Sequence, residues 1–161
     1  MPMARDKVRP CLWFDGKAEE AANFYVSVFP DGEIVQVSRY TERGMGETGS
    51  VLTVNYRLQG QEFVAINGGP EFTFTEAVSF AIQVDTQEEI DHYWDALTAG
   101  GEPSQCGWLK DRYGLSWQVV PRMVIEKLHD PDRERVDRFS AAFLQMQKID
   151  IGALTRAWDG A

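Results

Sequence analysis

The chain repeats itself. Residues 10–33, PCLWFDGKAEEAANFYVSVFPDGE, stand 69 positions before residues 79–102, SFAIQVDTQEEIDHYWDALTAGGE, and the two align without a gap. Glu19-Glu20 falls on Glu88-Glu89, Phe24-Tyr25 on Tyr93-Trp94, and Gly32-Glu33 on Gly101-Glu102. A repeat of this length restricts the fold to two copies of one supersecondary unit, so elements read in one half constrain the other.

In the first half, Val8 to Phe14 is β-rich and predicts a strand. Ala18, Ala21, Ala22, Tyr25, Val28 and Phe29 then recur at helical spacing, and Pro30-Asp31-Gly32 ends that helix. Strands are predicted over 33–40, 50–58 and 61–66, the last two joined at Gln59-Gly60. The second half repeats the order. A strand over 77–84 leads to a helix with Thr86 and Glu89 as a capping box and Ile90, Tyr93, Trp94 and Leu97 as its buried face. Gly100-Gly101 ends it, and short strands follow over 102–106, 107–110 and 115–120. Each half is therefore β-α-β-β-β.

A helical tail follows Pro121. Residues 123–128 predict a short helix. Asp130 is the expected cap of the next, with Pro131 at its first position and Val136, Phe139, Phe143 and Met146 facing inward. Asp150 is the expected cap of the last, with Ile151, Leu154 and Trp158 inward. One α+β domain over 1–161 is expected: module one over 8–70, module two over 77–121, and the tail over 122–161.

Charge narrows the partners. The net charge of −9 opposes binding to nucleic acid and to anionic membrane surfaces. No apolar run reaches the length of a membrane span, and Met1 to Pro10 has no apolar leader core. Cys11 and Cys106 make no disulfide framework, so a reducing cytoplasm is the expected compartment.

The stretches CLWFDGKAEEAANFYVSVFPDGEI, FVAINGGPEFTFTEAVSFAIQVDTQEEIDHYWDAL and GGEPSQCGWLKDRYGLSWQVVP resemble the PhnB-like proteins. These are often labelled 3-demethylubiquinone-9 3-methyltransferase. They form a branch of the glyoxalase/bleomycin-resistance/extradiol-dioxygenase, or vicinal oxygen chelate, superfamily. The ending KIDIGALTRAWDG is similar to the same branch. The resemblance implies paired modules whose curled mixed sheets surround a cleft, commonly in a homodimer. In metal-dependent relatives it implies four ligands, one each from the first and fourth strands of each module.

The first-strand position lies near Pro10, and its repeat partner is Ser79. The fourth-strand position of module one falls at Ala65 or Asn67. The last follows Gly114 by four residues, at Gln118. None is His, Glu, Asp or Cys, whereas hard divalent ions and zinc require several such ligands. The histidines, His92 and His129, are expected on the surface. No cofactor is expected; a bound divalent metal is the less favoured alternative.

A cleft without metal is expected to be lined by Asn67, Ser79, Trp108, Ser116 and Gln118, a mixture suited to a small organic ligand. Cys106 is the candidate nucleophile, with Lys110 and Arg112 nearby in sequence. Arg43 to Gly49, RGMGETG, is read as a loop and not as a methyl-donor site, because no helix opens behind it. Two readings stand. One is a metal-free ligand-binding or sequestering member of the superfamily. The other is an enzyme, performing either the methyl transfer of the label or a glyoxalase-type lyase or isomerase reaction.

Overall fold

A computed structural model describes residues 6–161. The reading of Met1 to Pro10 falls partly on residues 1–5, outside the described residues. The chain divides into two compact units, residues 1–73 and 74–161.

In the first unit the order is β1 (Cys11–Phe14), α1 (Ala18–Val28), β2 (Glu33–Arg39), β3 (Val51–Leu58) and β4 (Gln61–Asn67). The sheet order is β1-β4-β3-β2, with β1 parallel to β4 and the other pairs antiparallel. A parallel pair needs a crossover, and α1 provides it. The helix presents Ala21, Ala22, Tyr25 and Val28 to a sheet face built from Leu12, Phe14, Val54, Tyr56, Phe63 and Ala65, all buried. Small alanines on the helix let it lie close to the sheet, where Tyr25 stacks on Tyr56. Lys17, before α1, gives no side-chain cap. The Asn67 carboxamide supplies one instead, its Oδ1 accepting from Ala18 N at 2.9 Å.

The second unit repeats this as β5 (Ser79–Val84), α2 (Gln87–Thr98), β6 (Glu102–Pro103), β7 (Trp108–Lys110) and β8 (Ser116–Pro121). Its sheet order is β5-β8-β7-β6, with β5 parallel to β8. Thr86 caps α2 by accepting from Glu89 N at 3.2 Å, while Glu89 reaches back to Asp85 N at 3.3 Å. Ile82, Val84, Leu109, Trp117 and Val119 pack with Ile90, Tyr93, Trp94 and Leu97.

The tail forms α3 (Arg122–Leu128), α4 (Arg133–Phe143) and α5 (Ile151–Asp159). Asp150 caps α5 as expected, accepting from Ala153 N at 2.9 Å. The cap of α4 is two residues later than expected. Asp132 accepts from Arg135 N at 3.2 Å, while Asp130 accepts from Asp132 N at 2.9 Å and so shapes the approach. Pro131 thus precedes the cap and does not open the helix.

The strand expected over 102–106 stops at Pro103. Cys106 and Gly107 take left-handed backbone, φ +58° and +83°, and leave the ladder. Their N–H groups bond the tail instead, Cys106 N to Met146 O and Gly107 N to Gln147 O, both at 2.8 Å.

Candidate functional site

Strand β8 lies between β5 and β7, so its alternation decides what the second sheet shows on each face. Trp117 and Val119 enter the core; Ser116, Gln118 and Val120 point to the face opposite α2. Cross-strand pairing adds Ser79 and Ala81 from β5, and Trp108 and Lys110 from β7, to that face.

Asp111 sets this parity. The residue is 3 % exposed. Its Oδ1 accepts from Tyr113 N at 2.8 Å and Leu115 N at 3.1 Å. Its Oδ2 accepts from Trp117 Nε1 at 2.9 Å. One carboxylate therefore closes the β7–β8 turn and orients the first inward tryptophan of β8. Sequence reasoning missed this residue, although Asp three places before a turn glycine is the available signal.

On the open face, Gln118 Nε2 donates to Ser79 Oγ at 2.9 Å. These are the two second-module positions at which the sequence resemblance places ligands, and they are hydrogen-bonded to each other. Beside them lies a cavity of about 240 Å³ lined by Glu76, Glu102, Trp108, Lys110 and Ser116, with Pro103, Ser104 and Leu109. Lys110 Nζ pairs with Glu76. That hydrogen bond holds the Glu76 carboxyl below its ordinary range and raises the Lys110 ammonium above its own. Both are charged at neutral pH. Ser116 is 1 % exposed, and its hydroxyl has no hydrogen-bond partner among the described residues.

The expected site residues thus separate. Trp108 and Ser116 line the cavity, and Ser79 and Gln118 sit alongside on the same face. Asn67 belongs to the first unit. There its amide holds backbone at Ala18 N and donates to Val51 O at 3.1 Å, so it braces α1 and β3. Cys106 is turned to the tail, its Sγ 3.7 Å from Phe143 O. That contact, with the Cys106 N bond to Met146 O, ties the residue to the tail, and Cys106 is not among the residues lining the cavity.

Register also corrects the repeat. The connection from β1 to α1 is one residue longer than that from β5 to α2. Leu12 pairs with Ala65 as Ile82 pairs with Val119, so β1 and β5 correspond at an offset of 70, β4 and β8 at 54, and only the helices at 69. The counterpart of Ser79 is therefore Arg9, not Pro10, and that of Gln118 is Val64, not Ala65 or Asn67. Ala65 is fully buried on the helix side.

These donors do not fit a metal. Ser79 and Gln118 are neutral and bonded to each other, and their first-unit counterparts are a cation and a hydrocarbon. Among the described residues no three His, Cys, Asp or Glu side chains are grouped to hold an ion. The RGMGETG segment closes a loop between antiparallel β2 and β3, with Gly49 N bonded to Tyr40 O at 2.9 Å. Side chains on Gly44 or Gly46 would strike the Tyr40 ring within 2.7 Å, so these glycines wrap a tyrosine.

The family described as 3-demethylubiquinone-9 3-methyltransferase matches residues 6–120. The chain belongs to this family. The family match ends before the tail helices. The PhnB protein from Bacillus cereus is 41 % identical, with a TM-score of 0.66 over 72 % of this chain and 99 % of that one. Protein PA1353 from Pseudomonas aeruginosa shares the fold at 18 % identity and a TM-score of 0.62, over 72 % and 97 %. The fosfomycin resistance protein FosX from Listeria monocytogenes, a complex with Mn(II) and sulfate, shares it at 14 % identity and a TM-score of 0.52, over 78 % and 97 %. The family's fold is thus shared with these two proteins. No curated protein matches the chain.

Proposed function

We propose that this family member binds a small organic ligand on the open face of its second sheet without a catalytic metal. The cavity carries this reading: Trp108 and buried, unpartnered Ser116 line it, beside the neutral Ser79–Gln118 pair. Its volume of about 240 Å³ is below the roughly 300–1,000 Å³ typical of drug-sized ligands, which favours a small one. The test is to purify the protein without chelator, then measure metal by elemental analysis and bound organics by native mass spectrometry. The expected result is less than one metal per chain and a released small molecule. A stoichiometric ion with Gln118 among its ligands overturns the reading.

The family description favours methyl transfer as the second reading. It requires binding of a methyl-donor cofactor, and a flat calorimetric titration removes it. We further propose that the working form is a cytoplasmic homodimer. Edge strand β2 supports the dimer, since it leaves Ile34 and Val37 exposed. Light scattering at micromolar concentration tests it.

A further inference from the structure

The two units carry the same frame with different contents. By register, Arg9, Arg57, Glu62 and Glu33 of the first correspond to Ser79, Lys110, Ser116 and Glu102 of the second. In the first unit these side chains form an ion-pair cluster, although Glu62 Oε2 accepts no hydrogen bond among the described residues. Arg57 donates to Glu62 at 3.0 Å and pairs with Glu33, and Arg9 lies 3.8 Å from Glu62. In the second unit, serines replace the arginine and the buried glutamate. The space is the cavity described above, and Ser116 keeps an unpartnered hydroxyl in it.

We propose that this cavity binds a small organic cation, an ammonium on an apolar body, which takes the place filled by the Arg9 head group in the first unit. The inference rests on the ligand-binding reading above and adds the charge of the ligand. Three observations set that charge. The cavity's one cation, Lys110, is already paired with Glu76. Glu102 faces Lys110 across the β6–β7 pair, so two carboxylates meet one ammonium. An anion entering here meets a negative excess, and a cation offsets it. The remaining walls suit the same ligand. The Trp108 ring attracts a cation by its quadrupole and covers an apolar body, and the Ser116 oxygen accepts from an ammonium.

The test compares benzylamine, benzyl alcohol and benzoate, which share a ring and differ in charge. Each is titrated into the whole protein at pH 7, and binding is read from the Trp108 indole N–H resonance, assigned with Trp108→Phe. Benzylamine is expected to bind about tenfold tighter than the alcohol, and benzoate more weakly than either. Glu102→Gln is expected to bring the amine close to the alcohol, and Ser116→Ala to weaken the amine alone. Equal binding of all three, or tighter binding of benzoate, overturns the cationic ligand and leaves the ligand-binding reading standing. No perturbation of Trp108 by any probe overturns both.

Discussion

Gln118 Nε2 donates to Ser79 Oγ at 2.9 Å, joining the two second-module positions at which the sequence resemblance places metal ligands. The pair is neutral, and one hydrogen bond joins its members. Restoring one carboxylate does not restore a metal site, because one charged donor beside a hydroxyl holds a divalent ion weakly. Gln118→Glu is therefore expected to show no Mn(II) or Zn(II) binding by calorimetry at micromolar protein. A one-to-one isotherm would mean that other donors converge on the site.

Much of this was legible. Helix faces follow from spacing, so Ile90, Tyr93, Trp94 and Leu97 were readable as core, and Thr86 and Asp150 were readable as caps. Gln118 was found by counting from Gly114. The first module's site positions were not. One extra residue between β1 and α1 moves the strand by a single place, and in a strand a single place exchanges the faces. Pro10 was read where Arg9 belongs for that reason. Asp111 was unreadable as a buried anchor because its third partner, Trp117, is defined only once the hairpin closes.

Asp111 gives the first stability expectation. Asp111→Ala leaves Trp117 Nε1 and two turn N–H groups without their acceptor, and the loss is expected to be about 3 kcal/mol. Asp111→Asn keeps an acceptor for the turn but sets an N–H against the indole N–H, and about half that loss is expected. Urea unfolding followed by tryptophan fluorescence gives both values. Equal stability of the alanine variant and the parent would contradict the anchoring role.

Two glycines separate backbone strain from steric conflict. Gly114 has φ +82° with nothing within 4 Å of an added Cβ, so Gly114→Ala is expected to cost about 1 kcal/mol from conformation alone. Gly107 has φ +83°, but there a Cβ lies 2.7 Å from Val119 O and 3.3 Å from Ile149 Cγ1. Gly107→Ala is expected to cost about 3 kcal/mol and to loosen the tail. Hydrogen exchange should show lost protection at Cys106 and residue 107 in the second variant only.

Lys148 and Asp91 give a pH expectation. Their hydrogen bond lowers the Asp91 carboxyl below 3.8 and raises Lys148 above 10.5. A depressed carboxyl stabilises above its unfolded pKa, and the contribution is lost as pH falls through the folded value. A raised ammonium stabilises below its unfolded pKa, and the contribution is lost as pH rises through the folded value. Lys148→Met is therefore expected to lower the urea midpoint most across the neutral range. The difference should fade as pH falls through the lowered Asp91 value or rises through the raised Lys148 value, and in 1 M salt, where the screening length is about 3 Å. A difference that persists in acid and in salt would assign the effect to packing of the lysine stem.

The first unit's charge cluster gives the last expectation. Glu62 is buried, with Arg57 at 3.0 Å and Arg9 at 3.8 Å. Arg57→Met leaves the carboxylate with one distant partner, and a loss of about 3 kcal/mol is expected. Adding Glu62→Met removes the stranded charge and fills its space with a thioether chain. The double variant is therefore expected to be more stable than Arg57→Met, within about 1 kcal/mol of the parent. Chemical unfolding of all three proteins, with unchanged m-values, measures the coupling. A double variant less stable than Arg57→Met alone would show that the Glu62 carboxylate holds the unit through a partner other than Arg57, namely Arg9 at 3.8 Å.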